Sequence, residues 1–349
     1  MTRILITGNM GYVGSVVVRH LRRRLPNAEL IGFDTGLFGH CLTGSSTLPE
    51  RSLDRQIFGD TRQIDIETLR GTDAVVHLAA VSNDPMGDKF ARATEEINLQ
   101  ATVRLATLAA EAGVRSFVFA SSCSVYGAGS DRSRRESDDV APLTHYARSK
   151  IEAERRLAQI DQRDMSISCL RFATACGMSD RLRLDLVLND FVATAHLTGR
   201  VDVLSDGTPW RPLIAVADMA RAIEWAIARP REAGGDRLVV NVGTDSWNFN
   251  IRGLAEAVTA SRPGLAMSIN ADAPADRRSY RVDFSLFRQL APDHQPTSTI
   301  DGTIAGLFDG VGSMALSELD LRQRRYARLS ELNRQIDAGL IDDLLRRQP

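Results

Sequence analysis

The chain has 349 residues, 43 % hydrophobic and 25 % charged, with a formal net charge of -1. That suits one large α/β unit with a smaller lobe, and it offers neither the basic footprint of a nucleic-acid binder nor a polybasic membrane patch. Cys41, Cys123, Cys169 and Cys176 form no CxxC pair and no metal-ligand spacing, so no metal is expected and a reducing cytoplasm is. The N-terminal apolar run is too short for a signal peptide, and none reaches the roughly 18 residues of a membrane span.

In chain order, "RILIT" predicts a strand and "GYVGSVVVRHLRRRL" a helix. The strands "ELIGFD", "RQIFGD" and "DAVVHLAA" follow, then a helix over 92–113, the strand "SFVFASS", a helix over 144–160 and the strand "SISCLRF". The strands are continuous apolar runs, as in a parallel sheet covered by helices on both faces. Strand–helix alternation from the first residue predicts a doubly wound, Rossmann-type sheet over 1–172.

After 173 the pattern loosens into a smaller C-terminal substrate-binding lobe, with returns to the sheet near 212–243. "RLRLDLVLNDFVATAHL" is a helix candidate, "VDVL" and "RPLIAV" are short strands, and "VADMARAIEWAIARP" is a helix stopping at Pro230. "DRLVVNVG" looks like a further sheet strand; "SYRVDFS" and 263–276 look like parts of the lobe. Leu319, Tyr326, Leu329, Leu332, Ile336, Leu340 and Leu344 recur at roughly helical spacing. Packing onto the body explains that stripe more simply than a partner does.

"TGNMGYVG" puts Gly8, Gly11 and Gly14 between the first strand and the first helix, with Asn9, Met10, Tyr12 and Val13 completing the loop. A helix N-terminus offers free N–H groups and a positive dipole end to a pyrophosphate, and glycines let the backbone approach it. Asp34 ends the second strand, 20 residues after Gly14. A carboxylate there accepts from the adenosine ribose hydroxyls and repels a 2′-phosphate, which favours NAD over NADP. Asp60, after the third strand, could meet the adenine edge or simply serve a turn.

Only two lysines occur among 43 basic residues, Lys89 and Lys150. Lys150 follows Tyr146 at i+4 on a predicted helix, so the two share a face. A nearby ammonium stabilises a phenolate, and its compact charge can also reach sugar hydroxyls where a guanidinium fork points differently. The serine-rich end of "FASSCSVYG" lies at the carboxyl end of a parallel strand, where ligands bind in open α/β sheets.

Together, TGxxGxxG, the strand-end Asp, "HLAA", Ser-Ser-x-x-Val-Tyr-Gly and YxxxK resemble the extended short-chain dehydrogenase/reductases. The similar branch is the NAD-dependent epimerase/dehydratase family acting on nucleotide-sugars. The motifs match in order over 1–172, and fainter matches reach about 290. The resemblance implies a catalytic Ser122, Tyr146 and Lys150, with Tyr146 as base, Ser122 holding the reacting oxygen and Lys150 holding the nicotinamide ribose while lowering the phenol pKa. It places Thr61, Leu78, Ala79, Ala80, Ser82, Asn98 and Phe172 beside the cofactor. His77 reads as structural. Ser122, Cys123 and Ser124 would face the sugar, and Asn189, Arg211 and Arg278 the substrate diphosphate. A homodimer would form through the helices near 92–113 and 144–160. Where the 4,6-dehydratases carry an Asp-Glu pair this chain has Cys123-Ser124, which argues against dehydration by that route. The implied activity is epimerisation of a nucleotide-diphosphate sugar, at C4 through a transient 4-keto sugar. A 4-keto-sugar reductase, a dehydratase and a non-catalytic NAD-binding module are the alternatives.

Overall fold

The computed structural model describes residues 2–44, 46–127, 132–273, 278–323 and 326–348. Seven strands form one sheet in the order Arg237–Val242, Ser166–Phe172, Ser116–Ser122, Ala74–His77, Arg3–Thr7, Glu29–Asp34, Arg55–Phe58. Every neighbouring pair is parallel. The chain starts in the middle and winds outward both ways, so the strand order reverses between Arg3–Thr7 and Ala74–His77. A crevice opens at the carboxyl ends of strands at such a switch point. The sheet is buried on both faces: Ile4, Leu5, Ile6, Val75 and Val76 have no exposed surface, which is why these strands read as unbroken apolar runs.

The helix Tyr12–Arg24 begins at Gly11 without a side-chain cap and buries Val17, Val18 and Leu21. It packs beside the helix Val216–Ala228. The predicted helix over 92–113 is a rod made of Ala91–Thr94, Glu95–Gln100 and Ala101–Glu111, whose middle part is a π-helix. The wider π turn carries Asn98, which is fully buried. Its amide accepts from Val81 N at 2.8 Å and donates to Val81 O at 2.9 Å, pinning the loop after the fourth strand. Sequence periodicity does not distinguish this turn from ordinary helix.

The lobes are threaded through one another. Arg237–Val242 returns to the main sheet, whereas Trp210–Ala215 joins a separate sheet between Thr174–Cys176 and Asn248–Asn250. A further pair is Arg200–Val203 with Ala266–Ile269; residues 274–276 of the expected lobe lie outside the described residues. The helix expected from 181 starts only at Val187 and runs to Thr198. "RLRLDL" before it alternates with period two and stays non-helical. The C-terminal stripe folds into the short helices Glu318–Arg322 and Arg328–Asp337 and a final turn. Leu332, Ile341 and Leu345 join Val81, Met86 and Phe90 in one apolar cluster, so the tail lies on the N-terminal unit; Leu319 and Leu340 stay exposed. Among the described residues no helix is long and apolar enough to cross a membrane.

Candidate active site

A cavity of about 720 Å³ runs along the switch point. Its floor is the glycine loop. Gly8 has φ +74°, and a Cβ on it would lie 2.6 Å from Ala79 N; one on Gly14 would lie 2.2 Å from Gly8 O. Neither distance is tolerable, so only glycine lets this loop turn and lie flat against the next strand end. Asp34 accepts from Met10 N at 3.0 Å and Gly36 N at 2.8 Å. Burial raises its pKa against those two backbone donors, which leaves a desolvated acceptor at the cleft wall. The glycine cradle, the small Ala79 and Ala80 and this carboxylate all line the cavity, and together they fit a dinucleotide.

Ser122, Tyr146 and Lys150 meet deeper in the same cavity. Ser122 ends its strand; its Oγ accepts from Ser124 N at 3.1 Å, and it faces the same cavity as Tyr146. The helix His145–Leu157 is capped by Thr144, whose Oγ1 accepts from Ala147 N and donates to Asp84. Gly87 admits this helix closely, since a Cβ there would lie 2.9 Å from Tyr146 N. Lys150 is 3 % exposed. Its Nζ donates to Ala120 O at 2.7 Å and lies 4.7 Å from the Phe119 ring centre and 5.7 Å from that of Tyr146. Burial pushes Lys150 down to about 7, against the attraction of Glu154. Burial likewise pushes the Tyr146 phenol up to about 12, opposed by the neighbouring Ser122. The Lys150 ammonium is engaged by a backbone carbonyl, and Ser122 and the charge of Arg183 act to favour the phenolate.

Beneath the lysine, Glu154 is held by Arg171 at 2.7 Å and by Ser121. Arg171 also donates to Tyr126 Oη at 3.0 Å. Cys123 points into this buried layer and not into the cavity: it is 1 % exposed and its thiol donates to Arg171 O. Burial raises the pKa of that thiol, so it stays protonated. Ser124 does line the cavity, and its buried Oγ has no hydrogen-bond partner among the described residues.

The remaining expected residues divide by whether they reach the cavity. Tyr12, Val13, Thr61, Leu78, Ser82 and Phe172 line the cavity. Asp60 lines it too, with its carboxylate gripped by Arg62 at 2.6 Å. Asn9, Met10 and Asn98 stand behind the wall. Asn9 is bonded to Gln56, and Met10 contributes its backbone N–H to Asp34. Asn189 is fully buried and spends its amide on Gly177 N, Tyr12 Oη and Arg183 O. Arg211 and Arg278 reach the cavity; Arg211 lies over the Tyr280 ring, and Arg278 pairs with Asp84 at 3.2 Å. His77 is buried between Thr7 and Thr102, and burial holds its pKa down near 3.

Sequence reading missed the Arg183–Asp185 pair in the cavity wall, 2.9 Å apart. The period-two "RLRLD" was the available signal, hidden by reading that stretch as helix. Arg328, from the end of the chain, gave no local signal.

A doubly wound sheet with this phosphate loop, and with Ser, Tyr and Lys gathered above it, defines a dinucleotide-dependent enzyme of the short-chain dehydrogenase/reductase type. Residues 4–243 match the NAD dependent epimerase/dehydratase family, and the chain belongs to that family; its cofactor is NAD. An uncharacterized UDP-glucose epimerase of Bacillus subtilis (strain 168) is 26 % identical over 254 residues, 69 % of this chain and 76 % of that one. UDP-arabinose 4-epimerase 1 of Arabidopsis thaliana is 25 % identical over 299 residues, covering 78 % and 69 %. Among solved structures, MoeE5 in complex with UDP-glucose and NAD superposes with a TM-score of 0.72 at 28 % identity, covering 89 % of this chain and 98 % of that one.

Proposed function

We propose that this enzyme epimerises a nucleotide-diphosphate sugar at C4 through a transient 4-keto sugar. The observation that carries the reading is that Ser122, Tyr146 and Lys150 line one cavity with the phosphate loop. NAD, when bound, supplies reversible hydride acceptance at the sugar carbon. Tyr146 takes the proton of the sugar hydroxyl and later returns it. Ser122 donates to the same oxygen as it gains carbonyl character, and Lys150 provides the positive charge. Ser124 offers its unpartnered hydroxyl to the sugar, and Arg211 and Arg278 are assigned to the diphosphate, which suits a guanidinium fork. Asn98 and Asn189 act as supports: one pins the loop after the fourth strand, the other braces Tyr12. A protonated, buried Cys123 beside Ser124 leaves no carboxylate for water elimination by the dehydratase route. The test is incubation with a panel of nucleotide-sugars while absorbance at 340 nm is followed. Epimer formation without net cofactor change is expected; stoichiometric consumption of added reduced cofactor would instead establish a reductase.

We also propose a homodimer in which the rod Ala91–Glu111 and the helix His145–Leu157 pair with their twins as a four-helix bundle. Light scattering at micromolar concentration tests it, and a monomer mass refutes it.

A further inference from the structure

Arg328 opens the helix Arg328–Asp337 near the end of the chain, yet it lines the same cavity as the phosphate loop. It is 2 % exposed. Its guanidinium sits 4.9 Å from the centre of the Phe38 ring, in the segment that follows Asp34. Nη2 donates to Arg181 O at 2.8 Å, whereas Nη1 is buried and has no hydrogen-bond partner among the described residues. Two other arginines lie close by, and each has its own carboxylate: Arg181 holds Glu50 at 2.8 Å and Arg183 holds Asp185 at 2.9 Å. Among the described residues no carboxylate is paired with Arg328. Burial pushes it down to about 10, opposed by Cys41 and Asp185, with Arg183 and Arg181 pushing the same way as burial.

A desolvated guanidinium with a free donor is costly to keep. It makes sense where an anion completes it, and guanidinium suits phosphate oxygens. The surrounding contacts indicate which anion. The tail that carries Arg328 is fastened to the dinucleotide side of the cavity: Gln335 Nε2 donates to Leu37 O at 2.8 Å, Arg62 Nη1 donates to Leu344 O at 2.9 Å, and Leu345 lines the wall with Asp60.

We propose that Arg328 binds the pyrophosphate of NAD, so that the C-terminal segment completes the cofactor site. The sugar chemistry plays no part in this assignment, so a wrong substrate would leave the test intact. Titration calorimetry compares the wild type with Arg328→Met and Arg328→Lys, using NAD, ADP and adenosine on the cofactor-free enzyme and UDP on the NAD-saturated enzyme. Arg328→Met should weaken NAD and ADP about tenfold or more, the size of a lost charge-assisted hydrogen bond. Adenosine and UDP should stay within about twofold, and Arg328→Lys should recover part of the loss. Equal weakening of adenosine would mean a merely structural role and overturns the proposal. So does an unchanged affinity for NAD and ADP, or a loss confined to UDP.

Discussion

The ammonium of Lys150 lies 2.7 Å from the carbonyl oxygen of Ala120, two residues before Ser122 on the neighbouring strand. The only cation in the catalytic group is thereby tied to the strand that carries the serine, inside a pocket closed by the Phe119 ring. A wider planar guanidinium does not fit that space and aims its donors elsewhere. Lys150→Arg should keep the fold but lose activity by about 100-fold or more, the scale of a misplaced acid–base partner. Circular dichroism with kcat measurement checks both halves.

Tyr146→Phe removes the phenol proposed to take and return the sugar proton, while leaving the Ser122 hydroxyl in place. The expected fall in kcat is about 10²- to 10⁴-fold, with NAD affinity nearly unchanged. An unaltered rate would sink the proposed proton transfer.

The depressed pKa of Lys150 has a signed consequence for stability. Folded, the group titrates near 7; unfolded, it returns to about 10.4. Between those values the unfolded chain binds more protons, so this lysine makes unfolding free energy rise with pH through that window. Below pH 7 its burial penalty is fully present. Urea melts of cofactor-free Lys150→Met should show a variant more stable than wild type at pH 6, with the difference shrinking toward pH 10. A difference that grows with pH contradicts the assignment.

Glu154 and Arg171 form a buried ion pair under the active site, with Glu154 5 % exposed and Arg171 5 % exposed. Removing one partner strands the other. Glu154→Ala should cost about 3–5 kcal/mol, and adding Arg171→Met should recover much of it. A double-mutant cycle by urea denaturation reads the coupling directly.

The outline of the fold and the heart of the site are legible in the linear chain because both rest on local rules. Continuous apolar runs mark strands covered on both faces. Gly8, Gly11 and Gly14 sit where a strand must turn into a helix, and Tyr146 and Lys150 share a face because four residues make about one turn. What local rules miss is where a side chain goes once neighbours compete for it. Asn189 stands one residue from Asp190, which lines the cavity, yet its own amide faces inward to Tyr12. Cys123 adjoins Ser124 but packs under Arg171. "RLRLDL" carries the leucines of a helix but buries its arginines as well as Leu182 and Leu184, because Glu50 and Asp185 wait for the arginines in the folded molecule.

Motif spacing alone is enough for the sheet, the phosphate loop and the shared face of Tyr146 and Lys150, since each depends on residues a few positions apart or on a regular alternation; Ser122 joins them only through the family resemblance. Burial and charge balance belong to the assembled molecule. The pKa of Lys150 follows from how completely the sheet and helices exclude water from it. The place of Arg328 beside Phe38 follows from a tail that crosses back over the first domain, a contact between residues 290 positions apart that no local pattern encodes.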